Sequence, residues 1–234
     1  MDNRALAGKK CLVTGASRGL GYEIARCLKE SGAEVLISAR DSQKLRIAAD
    51  ALGVFPIAAD LERTDEVERL AVDVASFCGN VDVLINSAGV FPVARLSESC
   101  WTDFERCMAI NVRAPFQLAK IFSPGMVERK WGRIVNIGSS SAYAGFRNTS
   151  IYCASKHALL GLSRSLNDEL RVSNVRVCCI SPGSIKTDMG RKVLNQDFDT
   201  FLDATEVAEY VVRTVSLDGS MIVDEVRLNR MVIR

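Results

Sequence analysis

Along the whole chain, short unbroken apolar runs alternate with longer segments whose apolar residues recur at helical spacing. No other feature narrows the possible folds as much. Successive side chains of a strand point to opposite faces, so a strand that is apolar at consecutive positions must be covered on both sides. Covered strands separated by helices build a parallel sheet between two helical layers. The expected strands are residues 10–14, 34–39, 54–58, 81–86, 133–138, 175–181 and 221–228. The expected helices are 22–31, 41–52, 64–77, 101–122, 151–171 and 205–214, with Gly32 closing the first and Asp41 capping the second. No linker or repeat divides the sequence. A single doubly wound α/β domain over residues 1–234, with a parallel sheet of about seven strands, is the expectation.

The charges exclude several classes of function. The chain carries 30 basic and 28 acidic residues, interspersed, for a net of +2. No basic run marks a nucleic-acid or membrane-surface site. The apolar runs are strand-length, so no membrane span is expected. Residues 1–10 lack the apolar core of a secretion signal. Eight cysteines form no CxxC pair and there is one His, so no metal site is expected. Reduced thiols in a cytoplasmic protein are the matching expectation. Cys153, next to Tyr152, is read as a helix-packing residue, with a reactive thiol as the alternative.

Two segments carry chemistry. Directly after the first strand comes Thr14-Gly15-Ala16-Ser17-Arg18-Gly19-Leu20-Gly21, opening a helix. Glycines there let the backbone approach a pyrophosphate, and the helix N-terminus offers free N–H groups and a positive dipole. The second segment is Tyr152-Cys153-Ala154-Ser155-Lys156, which puts a phenol and an ammonium on one helix face. A phenol titrates near 10, so proton chemistry at neutral pH needs a shift worth about 4 kcal/mol. One cation at about 4 Å, at an effective dielectric of about 20, supplies that much.

The TGxxxGxG spacing together with Tyr152 and Lys156 resembles the classical short-chain dehydrogenase/reductase family, and the resemblance covers nearly the whole chain. It implies a Rossmann-type fold, a nicotinamide cofactor and a carbonyl–alcohol oxidoreduction. Further matches follow in order: Asp60, Asn86-Ser87-Ala88-Gly89, Asn111, Ser139, and Pro182-Gly183-Ser184-Ile185-Lys186-Thr187. By this resemblance Asn111, Ser139, Tyr152 and Lys156 form the catalytic tetrad. Tyr152 passes a proton to or from the carbonyl oxygen, and Ser139 donates to the same oxygen. Lys156 lowers Tyr152 and bonds the nicotinamide ribose, while Asn111 holds a relay water. Ser139 lies thirteen residues before Tyr152, the family's spacing, with Ser141 as runner-up. The single histidine, His157, points about 100° around the helix from Lys156 and is read as structural.

The resemblance also implies that Asp60 and Leu61 border the adenine, and that Ile185 and Thr187 hold the nicotinamide end. Ser87 departs from the usual NNAG. At the end of the second strand stands Ala39, where an NAD enzyme commonly has an acid, followed by Arg40. Arg40 can bind a 2′-phosphate bidentately, with Arg18 approaching from the other side. In this family that pair reads as an NADP(H) signature; Asp41, beside Arg40, is the group able to compete for it. Substrate selection is expected from the segments after Ala88, around residues 143–150, and from a short lid at 184–204 bearing Met189, Val193, Leu194, Phe198, Phe201 and Leu202. Ser141 and Tyr143 are the candidate substrate contacts. A small or carrier-tethered carbonyl compound, as in 3-oxoacyl carrier-protein reductases, fits the pattern, and family members are usually dimers or tetramers. A catalytically silent NADP(H)-binding sensor is the alternative, which the complete tetrad disfavours.

Overall fold

The structure is a computed structural model and describes residues 5–193 and 195–231. Seven strands run β1 (Lys10–Thr14), β2 (Glu34–Ala39), β3 (Phe55–Ala58), β4 (Val83–Asn86), β5 (Gly132–Ile137), β6 (Val175–Pro182) and β7 (Glu225–Leu228). They pair in the order β3-β2-β1-β4-β5-β6-β7, all parallel. The order reverses between β1 and β4, which opens a crevice at their carboxyl ends, where ligands of open α/β sheets bind. The helices are α1 (Gly19–Glu30), α2 (Ser42–Leu52), α3 (Thr64–Cys78), α4 (Trp101–Met108), α5 (Ala114–Glu128), α6 (Ser150–Leu170) and α7 (Ala204–Ser216).

The continuous apolar runs are explained by what each strand face meets. Cys11, Val13, Val83, Ile85, Val135 and Ile180 face one core, with Ile24 and Leu28 of α1, Leu45 of α2 and Val211 of α7. Leu12, Leu84, Ile134 and Val177 face the other, with Leu70 of α3, Leu118 of α5 and Leu170 of α6. Each fully buried side chain of this kind contributes roughly 1.5–3 kcal/mol.

The amino-terminal edge of the sheet has its own fastening. Arg133 is 2% exposed and is the β5 register partner of Arg176 in β6. Both donate to the Leu217 carbonyl at 3.0 Å, and Arg133 also reaches Asp218 Oδ1 at 2.8 Å. The guanidiniums thus satisfy a carbonyl just past the end of α7, which the helix leaves unpaired. Burial, and then Arg176, bring Arg133 down to about 10. The Trp131 ring lies 4.3 Å from the Arg133 guanidinium and 3.7 Å from the Lys9 ammonium.

Three elements differ most from the sequence reading, the other bounds shifting by one or two residues. The first helix starts at Gly19, three residues before Tyr22, so the end of the glycine turn is itself the first helical turn. The expected helix 101–122 is α4 and α5 joined by a π-helical turn, Ala109–Arg113, and it runs past Pro124 to Glu128. The last strand is shorter, beginning at Glu225.

Candidate active site

The glycine turn between β1 and α1 is a cradle in which side chains do not fit. Gly15 has φ +70°, and a Cβ there would stand 2.6 Å from Ala88 Cα. A Cβ on Gly21 would meet the Gly15 carbonyl oxygen at 2.5 Å. The Arg18 side chain makes no capping hydrogen bond and the first turn of α1 holds no acid, so its N–H groups can receive an anion. Thr14 Oγ1 accepts from Ser87 N and Ala88 N, both at 3.2 Å, which binds the loop after β4 to the end of β1. The Asn86 side-chain oxygen, Oδ1, is buried without a partner. Its amide donates to Asn136 Oδ1 at 2.8 Å, and Asn136 donates to Ser163 Oγ at 2.9 Å. A bare backbone cradle, helix N–H groups without a side-chain cap and an orphaned acceptor fit a dinucleotide lying across this crevice.

At the end of β2, Ala39 is followed by an exposed Arg40 that makes no ion pair among the described residues. The competition anticipated from Asp41 does not occur. One carboxylate oxygen accepts from Lys44 N at 3.0 Å and the other pairs with Lys44 Nζ at 3.3 Å, so Asp41 serves the N-terminus of α2. Arg18 is paired instead, with Asp188 Oδ2 at 2.7 Å. Asp60 Oδ1 accepts from Glu62 N at 3.1 Å, turning the chain so that Leu61 is buried beside β3.

The four residues expected to form a tetrad lie near the carboxyl ends of β4 and β5. Tyr152 and Lys156 lie one turn apart on α6, 8% and 5% exposed. Ser139 follows β5, and its Oγ accepts from Ser141 N at 3.1 Å. Burial pushes Tyr152 up to about 12, against the downward pull of the Ser139 hydroxyl. Burial brings Lys156 down to about 8. The expectation that Lys156 lowers Tyr152 is therefore not met by the protein alone. The ammonium donates to the Ile137 carbonyl at 2.7 Å and sits 5.7 Å from the Tyr152 ring centroid, and both groups are stripped of water.

Asn111 occupies the middle of the π-helical turn, 1% exposed. Its Oδ1 accepts from Val90 N at 2.9 Å, and its Nδ2 donates to Val90 O and Ser155 Oγ, each at 3.0 Å. Both amide protons are thus spent on holding the β4 loop against α6. That loop brings Phe91 edge-on to Tyr152, with ring centroids 4.7 Å apart. The loop runs close to both side chains: a Cβ on Gly89 would lie in ordinary contact, 3.4 Å from Asn111 Oδ1 and 4.0 Å from Lys156 Nζ. His157 is exposed and its Nδ1 bonds the Cys153 carbonyl at 2.9 Å, away from this cluster. Cys153 is buried, its thiol 3.3 Å from Thr149 Oγ1.

A cavity of about 500 Å³ is lined by Phe91 and Ile151, the ring partner and the chain neighbour of Tyr152, but by none of Asn111, Ser139, Tyr152 and Lys156 themselves. Its walls draw on the three segments expected to select substrate: Phe91 and Val93 after β4, Asn148 and Ser150 from residues 143–150, and Lys192 from the 184–204 segment. Asp103 of α4 adds a second charge. Tyr143 is not among the lining residues. It packs on Ala142, Leu160 and Cys179 under the Arg227 guanidinium, 4.4 Å away. Ser141 is buried at 6% exposure. The 184–204 segment is closed at its base by the Ile185–Leu202 bridge and held by Arg230, which donates to Thr200 Oγ1 at 2.9 Å. Leu194 lies outside the described residues.

Sequence reasoning missed Thr14 as a loop clasp, Asn136 and Ser163 as a buried relay of hydrogen bonds, and Asp188. The first three are polar residues inside otherwise apolar elements, which is the signal that could have found them.

Comparison with known proteins gives a consistent result. The family model for short chain dehydrogenases matches residues 9–197. The chain is 34% identical over 203 residues to the nodulation protein G of Rhizobium sp. (strain N33), covering 85% of this chain and 82% of that protein. It is 34% identical over 182 residues to carbonyl reductase family member 4 of Xenopus laevis, 77% of each chain. Among solved structures, a metagenomic short-chain oxidoreductase in complex with NADP superposes with a TM-score of 0.85 at 30% identity, over 97% of this chain and 99% of that one.

Proposed function

The chain belongs to the short-chain dehydrogenase family, whose members are NAD(P)(H)-dependent oxidoreductases, and from that footing we propose that it is an NADP(H)-dependent reductase interconverting a carbonyl and an alcohol. The observation that carries this is the grouping of Ser139, Tyr152, Lys156 and Asn111 at the carboxyl ends of β4 and β5, next to a bare glycine cradle. Gly15, Ser17, Gly19, Leu20 and Gly21 would cradle the pyrophosphate; Arg18 and Arg40 the 2′-phosphate; Asp60 and Leu61 the adenine. Asn86, Ala88, Gly89, Pro182, Gly183, Ile185 and Thr187 would hold the nicotinamide end, with Tyr152 and Lys156 at its ribose. The cofactor supplies the hydride.

The protein's part is to place the carbonyl oxygen and give it a proton. Tyr152, protonated well past neutral pH, is the donor in the direction of reduction. Ser139 donates a second hydrogen bond to the same oxygen as charge develops there. Lys156 stands behind Tyr152 as the cation that stabilises the phenolate left once the proton has passed to the substrate oxygen. Asn111 acts through Val90, holding Phe91 and the cavity wall against the reacting phenol. The 184–204 segment serves as a short lid. Carbonyl compounds small enough for about 500 Å³, or longer ones entering by their reactive end, are the substrate class, with 3-oxoacyl compounds first among them. A homodimer or homotetramer pairing through α5 and α6 accords with Phe116 and Ile121, 46% and 41% exposed on α5; sedimentation equilibrium returning a monomer would refute it.

The test is consumption of NADPH across a panel of carbonyl compounds that includes 3-oxoacyl thioesters. Turnover on none of them would overturn the reading. Arg40→Asp is expected to raise the dissociation constant for NADPH at least about tenfold, and that for NADH by less than about threefold, the usual size of a lost charge-assisted hydrogen bond. Equal changes for the two cofactors would remove Arg40 from phosphate recognition.

A further inference from the structure

We propose that Asp188 is a specificity-determining residue that lowers the preference for NADPH over NADH by competing with the adenosine 2′-phosphate for Arg18. The inference rests on the reading above in which Arg18 is one of the two phosphate ligands.

The pair joins the glycine turn to the loop after β6 at the mouth of the crevice, with Arg18 Nη1 and Asp188 Oδ2 2.7 Å apart. Beneath it the two segments are nearly in contact, since a Cβ on Gly19 would stand 3.4 Å from Thr187 Cγ2. The two guanidiniums offered to the 2′-phosphate are therefore not equivalent. Arg40 pairs with no carboxylate among the described residues, because the neighbouring Asp41 is spent on Lys44. Arg18 has one that belongs to the protein. Both partners are about two-thirds exposed, with side-chain accessibilities of 66% and 65%, so the pair is a weak, screened one. A phosphate monoester carries nearly two charges and three acceptor oxygens, enough to displace a single exposed carboxylate. NADPH must make that exchange, and its phosphate then lies near the released Asp188 carboxylate. NADH brings no anion to Arg18 and leaves the pair intact. The carboxylate consequently costs NADPH affinity that it does not cost NADH.

Asp188→Asn keeps the shape and removes the charge. Titration of the full-length protein with each cofactor is expected to show the NADPH dissociation constant falling about fivefold at low salt, with NADH changed less than about twofold. The gain for NADPH should shrink as ionic strength rises. In an Arg18→Met background the same Asp188 substitution should no longer favour NADPH, because the contested guanidinium is gone. Equal shifts for both cofactors would mean that the pair merely fastens the loop, and would overturn the proposal. So would an unchanged ratio. If Arg18→Met weakens NADPH selectively while Asp188→Asn leaves the ratio unmoved, the competition is refuted and the NADP(H) reading stands. If Arg18→Met leaves the ratio unmoved, Arg18 is not a phosphate ligand and the proposal falls with that assignment.

Discussion

Tyr152→Phe is expected to lower kcat for carbonyl reduction by about 10³-fold, with NADPH binding within about twofold of wild type. The ring is held by packing: it is 8% exposed and Phe91 stands edge-on to it at 4.7 Å. Removing one hydroxyl leaves that packing in place and deletes the phenolic proton that the mechanism uses. Ser139 remains to polarise the oxygen, so a residual rate above that in solution is expected, as when one member of a catalytic group is lost. Because burial holds Tyr152 at about 12, wild-type reduction should be insensitive to deprotonation of this group through the neutral range. Stopped-flow measurement of NADPH oxidation, with cofactor binding measured separately, makes the comparison. A variant with turnover near that of wild type would sink the mechanism.

Lys156→Met is expected to reduce turnover comparably and, in the same protein, to raise the melting temperature by about 5 °C at pH 7. The second effect follows from burial. The ammonium is 5% exposed, and its value falls from the ordinary 10.5 to about 8, which corresponds to about 3 kcal/mol against folding when the group is charged. Loss of the hydrogen bond to the Ile137 carbonyl returns about 1 kcal/mol, and the difference spread over a chain of this size gives the stated shift. The sign is set by the depressed folded value. Below pH 8 the unfavourable contribution is present in full, and it disappears as pH rises through 10.5, where the unfolded lysine also loses its proton. Wild type should therefore gain on the variant across that window. Scanning calorimetry at pH 7 and pH 10 checks both. A variant less stable than wild type at pH 7 would show that the ammonium is better compensated than its surroundings indicate.

The parts of this molecule that were legible in the sequence are those set by local spacing. The glycine turn could be read because three constraints coincide within a few residues: a strand end, a helix start and positions where only a bare backbone fits. The sheet could be read because burial on both faces leaves consecutive apolar residues, as at Cys11, Leu12 and Val13. What escaped depends on distance across the fold. Asn86 meets Asn136 only because β4 and β5 are register partners, a fact set by strand order and not by either segment. Arg18 and Asp188 are 170 positions apart. Tyr143 stands in a segment expected at the substrate, yet Arg227 of β7 draws its ring away. The raised Tyr152 escaped for a related reason: spacing shows that a cation is near, but only the packed interior shows how much water both groups have lost.

The π-helical turn at Ala109–Arg113 makes chain length itself a part of the chemistry. Such a turn holds one residue more than the α-helix around it, and each residue advances a helix by about 100°. The faces of α4 and α5 are consequently out of phase across the turn. Deleting any one residue there would restore an unbroken α-helix, with better regularity and more uniform hydrogen bonding. It would also rotate one half against the other, carrying either Asn111 away from Val90 or Leu118 and Phe122 out of the core. The irregularity lets one continuous rod satisfy two incompatible angular demands, so a homologue shortened by one residue in this stretch could keep every side chain of the tetrad and still lose their alignment.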